Sequence, residues 1–490
     1  YVGGFTRDGM FLNRFWNLKS SNGLPGGENE LIQQKNQSVF GTATLGWDDT
    51  YYLDLNLRND WTSTLHPDYN SYLYGGASAS VMLSNLIKAP WLNFWKLRAS
   101  AAQVGSTMNS YLINPIYVAE TKYDGRTTMR TSRNLLDPSI KPTISTSYEV
   151  GTEFRMFDNR FWGDINFYNR DSRNQIINKN VTPASGYTTR KINAGLIRNR
   201  GIEISLGGTP VKTKDIQWDV NFNIARNVNT LVELEANDRD DDSYQIYWTK
   251  FYTPISINAI EGRPIGVIKG NDWQRDESGN LILRKLKNGM VAPIQDKEDK
   301  ELGIAQPKFT GGFNTSLNLY GFVISAALDY AVGGNIVSWT NYWGKGSGIL
   351  QETAGLNDKG NPLRDPVDKG GGLHLTGVDK DGKPMDGYID AQLYYQDLSP
   401  MTWADAVYDA TYVKLRELSV GYNFERKLLD KLGIGLTAAR ISFVAQNPWL
   451  IYSATPNIDP SEISGSTYGY VEGGQSISTR SYGFTIGLTF

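Results

Sequence analysis

The chain has 490 residues, and 49 Lys+Arg against 51 Asp+Glu give a net charge of -2, so it carries no basic field that would favour nucleic acid. There is no cysteine, which removes disulfide frameworks, thiolate zinc sites and cysteine nucleophiles, and two histidines, His66 and His374, leave little for histidine chemistry. With 40% apolar residues, 20% charged residues and a mean hydropathy of -0.41, several membrane helices are excluded, while 50 Gly, 28 Tyr and 13 Trp point to a β-rich chain.

Tyr1 is followed by no charged leader, apolar core or small-residue cleavage site, so an export signal is expected upstream or already removed. From residue 38 onward the dominant pattern is strict two-residue alternation in segments of about ten residues, the length a tilted strand needs to cross a bilayer. It predicts thirteen strands, near 38–47, 51–61, 72–83, 94–104, 145–157, 161–171, 198–208, 215–226, 309–319, 321–332, 411–424, 439–447 and 480–490. In the second, Tyr51, Leu53, Leu55 and Leu57 share one face and Tyr52, Asp54, Asn56 and Arg58 the other. Ile216, Trp218, Val220, Phe222 and Ile224 do the same in the eighth, and Phe322, Ile324, Ala326, Leu328 and Tyr330 in the tenth. The last is the cleanest, with Tyr482, Phe484, Ile486, Leu488 and Phe490 opposing Gly483, Thr485, Gly487 and Thr489.

Connections alternate in length. Short links fall at 48–50, 158–160, 209–214 and Gly321, medium ones at 84–93 and 425–438, and long polar loops between them, the largest at 227–308 and 333–410. This sorting fits an all-β, antiparallel transmembrane β-barrel of outer-membrane type, with short periplasmic turns and long extracellular loops. In hydrocarbon every backbone N–H and C=O must pair within the protein, which a sheet achieves by closing on itself. Single-chain bacterial barrels have even strand counts, so thirteen strands imply a larger barrel completed by upstream strands or a partner segment. Trp47, Trp61, Trp95, Trp162 and Trp218, near strand ends, suit interfacial girdles or the ordinary ends of sheets. Near Glu417 the alternation slips from odd (Val413, Leu415) to even (Leu418, Val420, Tyr422), which suggests a bulge.

Ordered blocks now give a family resemblance. They are Asn59-Asp60-Trp61-Thr62-Ser63-Thr64-Leu65, Ser145-Thr146-Ser147-Tyr148-Glu149-Val150-Gly151-Thr152-Glu153, Asn193-Ala194-Gly195, Asn199-Arg200-Gly201-Ile202-Glu203, Glu261-Gly262-Arg263-Pro264-Ile265-Gly266, Pro307-Lys308-Phe309-Thr310-Gly311-Gly312, 412–422 and the ending 480–490. In this order they resemble the C-terminal barrel portion of SusC/RagA-type TonB-dependent transporters of the Bacteroidota outer membrane. The resemblance implies that 1–490 is barrel alone, with the N-terminal extension, TonB-contacting segment and plug outside this sequence. It also implies a SusD-like lipoprotein lid over the outer loops, coupling to a TonB complex, contact with outer-membrane lipid, and uptake of an oligosaccharide or peptide. One departure is Ala445-Gln446-Asn447-Pro448-Trp449-Leu450, where Pro448 is expected to end the strand. A passive porin or a structural or secretion-associated barrel are the alternatives.

No nucleophile elbow, P-loop or HExxH motif is present, and 344–348 (Gly-Lys-Gly-Ser-Gly) lacks the strand–turn–helix setting of a phosphate cradle, so no enzyme and no cofactor are expected. Gly207-Gly208 and Gly311-Gly312 read as strand bends or close-approach points. Calcium is weighed at Asp238, Asp240, Asp241 and Asp242, and at Asp379-Lys380-Asp381-Gly382, where a solvated loop is the plainer reading. Loop aromatics are the better candidates for contact with substrate or lid: Tyr244, Tyr247, Trp248, Phe251 and Tyr252, then Trp339, Tyr342 and Trp343, and Tyr394 and Tyr395, with loop-on-loop packing as the other reading. Tyr482, Phe484 and the terminal Phe490 look like a barrel-assembly signal, read by β-augmentation, or simply a lipid-facing stripe.

Overall fold

A computed structural model of the chain describes residues 31–490 apart from 115, 120–122, 127, 235–242, 251–252, 432, 466–469 and 474–477, together with 2–6, 10, 17, 20–23 and 26–29. Thirteen antiparallel strands follow one another through a single sheet in chain order: β1 (Asn36–Trp47), β2 (Tyr51–Thr62), β3 (Ser71–Met82), β4 (Leu92–Ser106), β5 (Thr143–Met156), β6 (Phe161–Asn180), β7 (Thr189–Lys212), β8 (Ile216–Glu233), β9 (Phe309–Leu319), β10 (Phe322–Val332), β11 (Tyr412–Asn423), β12 (Ala438–Ser453) and β13 (Ser481–Thr489). Each corresponds to one predicted strand. The short turns gather at one rim, where Asp48 and Asp49 (φ 52° and 46°) and Tyr320 and Gly321 (φ 49° and 86°) adopt the left-handed backbone that a tight hairpin with right-handed strand twist requires.

Register settles which side chains share a face. Tyr51, Val81, Leu97, Thr152, Ile165, Ile204 and Ile224 form one row across seven strands, and Ile216, Leu319, Phe322, Tyr422, Ile441 and Ile486 form another across six. Along these rows, whose one polar member is Thr152, Tyr51 is 46% exposed, Leu97 41% and Ile486 67%, and the adjacent row holds Val150 at 59% and Phe167 at 55%. Soluble proteins seldom expose contiguous apolar patches beyond a few hundred Å². The two rows together cross twelve strands, β2 to β13, and such a stripe is what the lipid-facing surface of an outer-membrane barrel presents. Aromatic rings mark its lower edge, with Trp47, Tyr51, Phe161, Trp218 and Phe322 all exposed near the short-turn rim, and Trp61, Tyr148 and Trp449 exposed nearer the other end. Of the other two predicted girdle residues, Trp95 is half-buried on the apolar face, whereas Trp162 pairs with Gly207 on the polar face beside Asp164 and belongs to no girdle.

Close approach explains the glycines singled out in the sequence. A Cβ on Gly207 would lie 2.2 Å from the Trp162 ring, and one on Gly311 would lie 2.4 Å from the Tyr330 hydroxyl. Each aromatic fills the space its cross-strand glycine leaves open. The bulge near Glu417 is present: Ala327 pairs with Glu417 and Leu328 with Leu415, so Arg416 is the extra residue. Pro448, expected to end its strand, does not. β12 continues to Ser453, and the ladder jumps from Glu417↔Gln446 to Leu415↔Trp449, leaving Asn447 and Pro448 in the bulge, where no ladder N–H is needed.

The largest loops also differ from expectation. They are not open polar loops but a folded outer body. Ser243–Lys250, Pro254–Ile260, Val267–Trp273 and Gln295–Ile304 make a four-stranded sheet, Leu373–Val378 pairs with Pro384–Ile389, and Trp339–Gly346 is a helix capped by the Ser338 side chain. Ile255, Ile257, Ile268, Val337, Tyr342 and Trp403 form its main core, and Leu283, Val291, Leu375 and Ile389 a second. Local polarity concealed this, because apolar residues arriving singly from distant segments have no period to detect. Several barrel strands lengthen to meet this body: β7 has 24 residues, and Leu231, Leu234 and Ala259 form a joint core with Ile177 and Ile197.

β1 and β13 stand at opposite ends of the strand order, and no pairing joins them among the described residues.

Candidate functional site

The face opposite the apolar stripe is polar and supplies the wall of the candidate site. Arg98 forms a bidentate pair with Asp164 across it, with both N···O distances 2.7 Å. The guanidinium crosses Gly151, whose Cβ would sit 2.8 Å from it, which gives Gly151 in the Ser145–Glu153 block a physical role. Asp219 and Asn221 of β8, Asn314 and Ser316 of β9, Ser325 of β10 and Glu417 of β11 continue this wall along one hollow. Charges spaced in this way keep a surface hydrated and able to hydrogen-bond a polar solute.

At the upper end of β11 the wall holds a piece of the chain. Lys414 is 2% exposed, and its Nζ donates to Asp459 Oδ2 (2.6 Å), Glu462 Oε1 (2.8 Å), Ser461 Oγ (3.2 Å) and Ser478 Oγ (3.2 Å). The bulged Arg416 donates Nε and Nη2 to the two oxygens of Asp329, each at 2.9 Å, and lies 3.4 Å from Glu462. The bulge makes this possible, since it turns two near-neighbour cations toward one short 3₁₀ turn, Pro460–Gly465. The Lys414 ammonium holds the Glu462 carboxyl below its ordinary range. Burial pushes Asp459 up, but Lys414 and Ser461 outweigh it and its carboxyl also titrates lower than usual. The sequence offered a signal here: Lys414 and Arg416 flank the slip in alternation.

The predicted loop aromatics divide. Trp248 (53% exposed) and Trp343 (43%) present ring surface to the outside. Tyr342 is 4% exposed, stacks on Trp403 at 4.5 Å and 13°, and donates to the Pro400 carbonyl at 2.6 Å, so it serves packing. Trp339 meets Trp403 edge-on at 4.9 Å and stacks under Trp343 at 6.1 Å. Tyr247 is half-buried against the main core. Tyr244 lines a cleft of about 370 Å³ with Ile177, Asn178, Lys179 and Asn258. Tyr394 lies 6.3 Å from Trp273 and 5.2 Å from Tyr395. Trp403, fully buried, was not singled out in the sequence, nor was the nearby Asp405, whose carboxyl is pushed up by burial. Phe251 and Tyr252 lie outside the described residues, as do Asp238, Asp240, Asp241 and Asp242.

Asp379 to Gly382 form the turn of the Leu373–Val378/Pro384–Ile389 hairpin, with Asp379 Oδ1 accepting from the backbone N–H groups of Asp381 and Lys383, both at 2.9 Å. Gly344-Lys345-Gly346 close the helix Trp339–Gly346, at the end opposite to the one that binds anions. At the C-terminus, Tyr482, Phe484 and Phe490 are exposed, and Phe484 packs on Phe443 at 5.5 Å.

Residues 4–276 match the family described as TonB dependent receptor-like, beta-barrel, and the chain belongs to that family. It is 24% identical over 463 residues to TonB-dependent receptor P3 of Formosa agariphila, covering 88% of this chain and 42% of that protein. It is 22% identical to TonB-dependent receptor SusC of Bacteroides thetaiotaomicron, covering 72% of this chain and 33% of that protein. A solved structure of the RagAB peptide transporter superposes with a TM-score of 0.75 at 18% identity, over 96% of this chain and 50% of that one, which establishes the same fold. The chain thus spans half or less of the length of these relatives.

Proposed function

We propose that this chain is the larger part of the barrel of a bacterial outer-membrane importer that takes up an oligosaccharide or a peptide with energy supplied through TonB. The observation that carries this is the division of one sheet into an open apolar face and a polar face that holds the Pro460–Gly465 turn. Such a sheet has hydrocarbon on one side and water on the other. Closing it requires further strands to pair with β1 and β13, consistent with the greater length of the relatives.

Within this reading the plug and the TonB-contacting segment lie outside this sequence. A lipoprotein lid sits on the outer body, where Trp248 and Trp343 offer flat apolar ring surface to the lid or to substrate. The chain's residues supply walls, loops and a latch. Transport of this kind calls for no bond-making side chain, cofactor or metal from them. Tyr482, Phe484 and Phe490 would be read during assembly by β-augmentation at the free edge of β13.

The test is uptake of labelled oligosaccharides and peptides by cells with and without the gene, before and after collapse of the proton-motive force. Gene-dependent uptake that stops on collapse is expected. Uptake that persists without energy, together with steady conductance of the purified protein in planar bilayers, identifies a passive porin and overturns the proposal.

A further inference from the structure

Charged side chains on the apolar face concentrate in one place. Below the bulge at Asn174 they are Asp171 and Arg173 on β6, Arg198 and Arg200 on β7, and Arg226 on β8. These strands are adjacent, and the register sets Asp171 opposite Arg198, Asn169 opposite Arg200 and Ile202 opposite Arg226. The arginines form one patch rather than scattered singles. Asp171 is committed, accepting from Arg198 Nε and Nη2 at 2.7 and 2.6 Å. Arg200 donates Nε to Asn169 at 2.7 Å, Arg226 lies over the Phe309 ring at 5.7 Å, and Arg173, Arg200 and Arg226 are all exposed. Glu233 of β8 lies on the same face in the row of Arg173, beyond Leu196, so two carboxylates against four guanidinium groups leave the patch with a net positive charge.

Its height is informative. Phe161 and Ile216 begin β6 and β8 at the short-turn rim, with Arg173 and Arg226 twelve and ten residues further up. At about 3.3 Å per residue and a tilt of about 40°, that is about 25–30 Å along the membrane normal, the height at which an apolar band of about 25 Å ends. Arginine facing lipid is costly at mid-depth and nearly free at the boundary, where headgroup phosphates lie.

We propose that Arg173, Arg200 and Arg226 bind the phosphate groups of an anionic lipid in the leaflet beside the long-loop rim. This rests on the barrel reading. Guanidinium suits the task because its planar fork meets two phosphate oxygens at once.

The experiment uses full-length protein in phosphatidylcholine nanodiscs doped with a bisphosphorylated glycolipid, or with the same lipid dephosphorylated, and counts retained lipid by native mass spectrometry. Wild type retains the phosphorylated lipid and not the dephosphorylated one. R173Q/R200Q/R226Q retains roughly tenfold less or lower still, and R200K/R226K falls between. Equal retention by wild type and the triple Gln variant overturns the proposal, as does equal retention of both lipids. Displacement of the lipid by matched inorganic phosphate assigns the patch to free phosphate and overturns it too. Quenching of tryptophan emission by brominated lipid in the same discs separates the two readings: no quenching defeats the barrel itself, whereas quenching without retention defeats only the lipid site.

Discussion

Replacing Lys414 with Met should release the Pro460–Gly465 turn from the polar wall of the barrel. The Lys414 side chain is 2% exposed, while its partners Asp459 and Glu462 keep 17% and 29% exposure, so the variant leaves two half-hydrated carboxylates facing an apolar side chain. Removing one partner of a fully buried ion pair costs about 3–5 kcal/mol, and partial hydration of the acids places this case at about 3 kcal/mol. Local opening would become about a hundredfold more frequent at that cost. Hydrogen exchange of peptides covering 454–465 reads it directly, with peptides from β2 and β4 as controls that should not change. Glu462 and Asp459 titrate below their ordinary values, so their contribution is present at neutral pH and is lost as pH falls through the depressed values. Wild-type exchange at 454–465 should accelerate on acidification through that range, and the K414M protein should lose this dependence. Unchanged exchange in K414M at neutral pH would refute the latch.

Val150→Arg, near the middle of the apolar face, should lower stability in lipid vesicles by about 2–4 kcal/mol, measured by denaturant unfolding, whereas Thr146→Arg on the same face, ten residues above the short-turn end of its strand and so near the upper boundary, should cost about 0–1 kcal/mol. Trp403→Ala should destabilise the outer body by about 3–5 kcal/mol, seen as protease cleavage within 254–304 and 333–410, with heat-modifiable migration of the barrel unchanged. Trp248→Ala and Trp343→Ala should each weaken binding of lid or substrate by roughly twofold to tenfold in a pull-down or titration, without altering the far-ultraviolet spectrum. Phe490→Ser should lower the fraction assembled in the outer membrane, assayed by the same gel shift, and an unchanged fraction would leave Phe490 as a lipid-facing residue only.

The barrel was legible because alternation is local. Leu53, Leu55 and Leu57 declare a face without reference to any other strand, and one residue of slip would reverse that face, so thirteen strands and their sidedness can be read directly. The bulge was legible for the same reason, as a change of parity near Glu417, and the register assigns the extra residue to Arg416. Pro448 misled because a proline that forbids a regular ladder is acceptable inside a bulge, and whether a bulge lies opposite depends on the neighbouring strand.

The sequence alone thus determined the thirteen barrel strands and which side chains share a face within each, since both follow from a period of two along a short stretch. Only the tertiary structure decided that 254–304 and 333–410 fold into a body with its own core, that Tyr342 packs while Trp343 stays open, and that Lys414 meets Glu462 across 48 residues. Those facts are contacts between distant segments, and a one-dimensional pattern carries no record of which distant residues share a place.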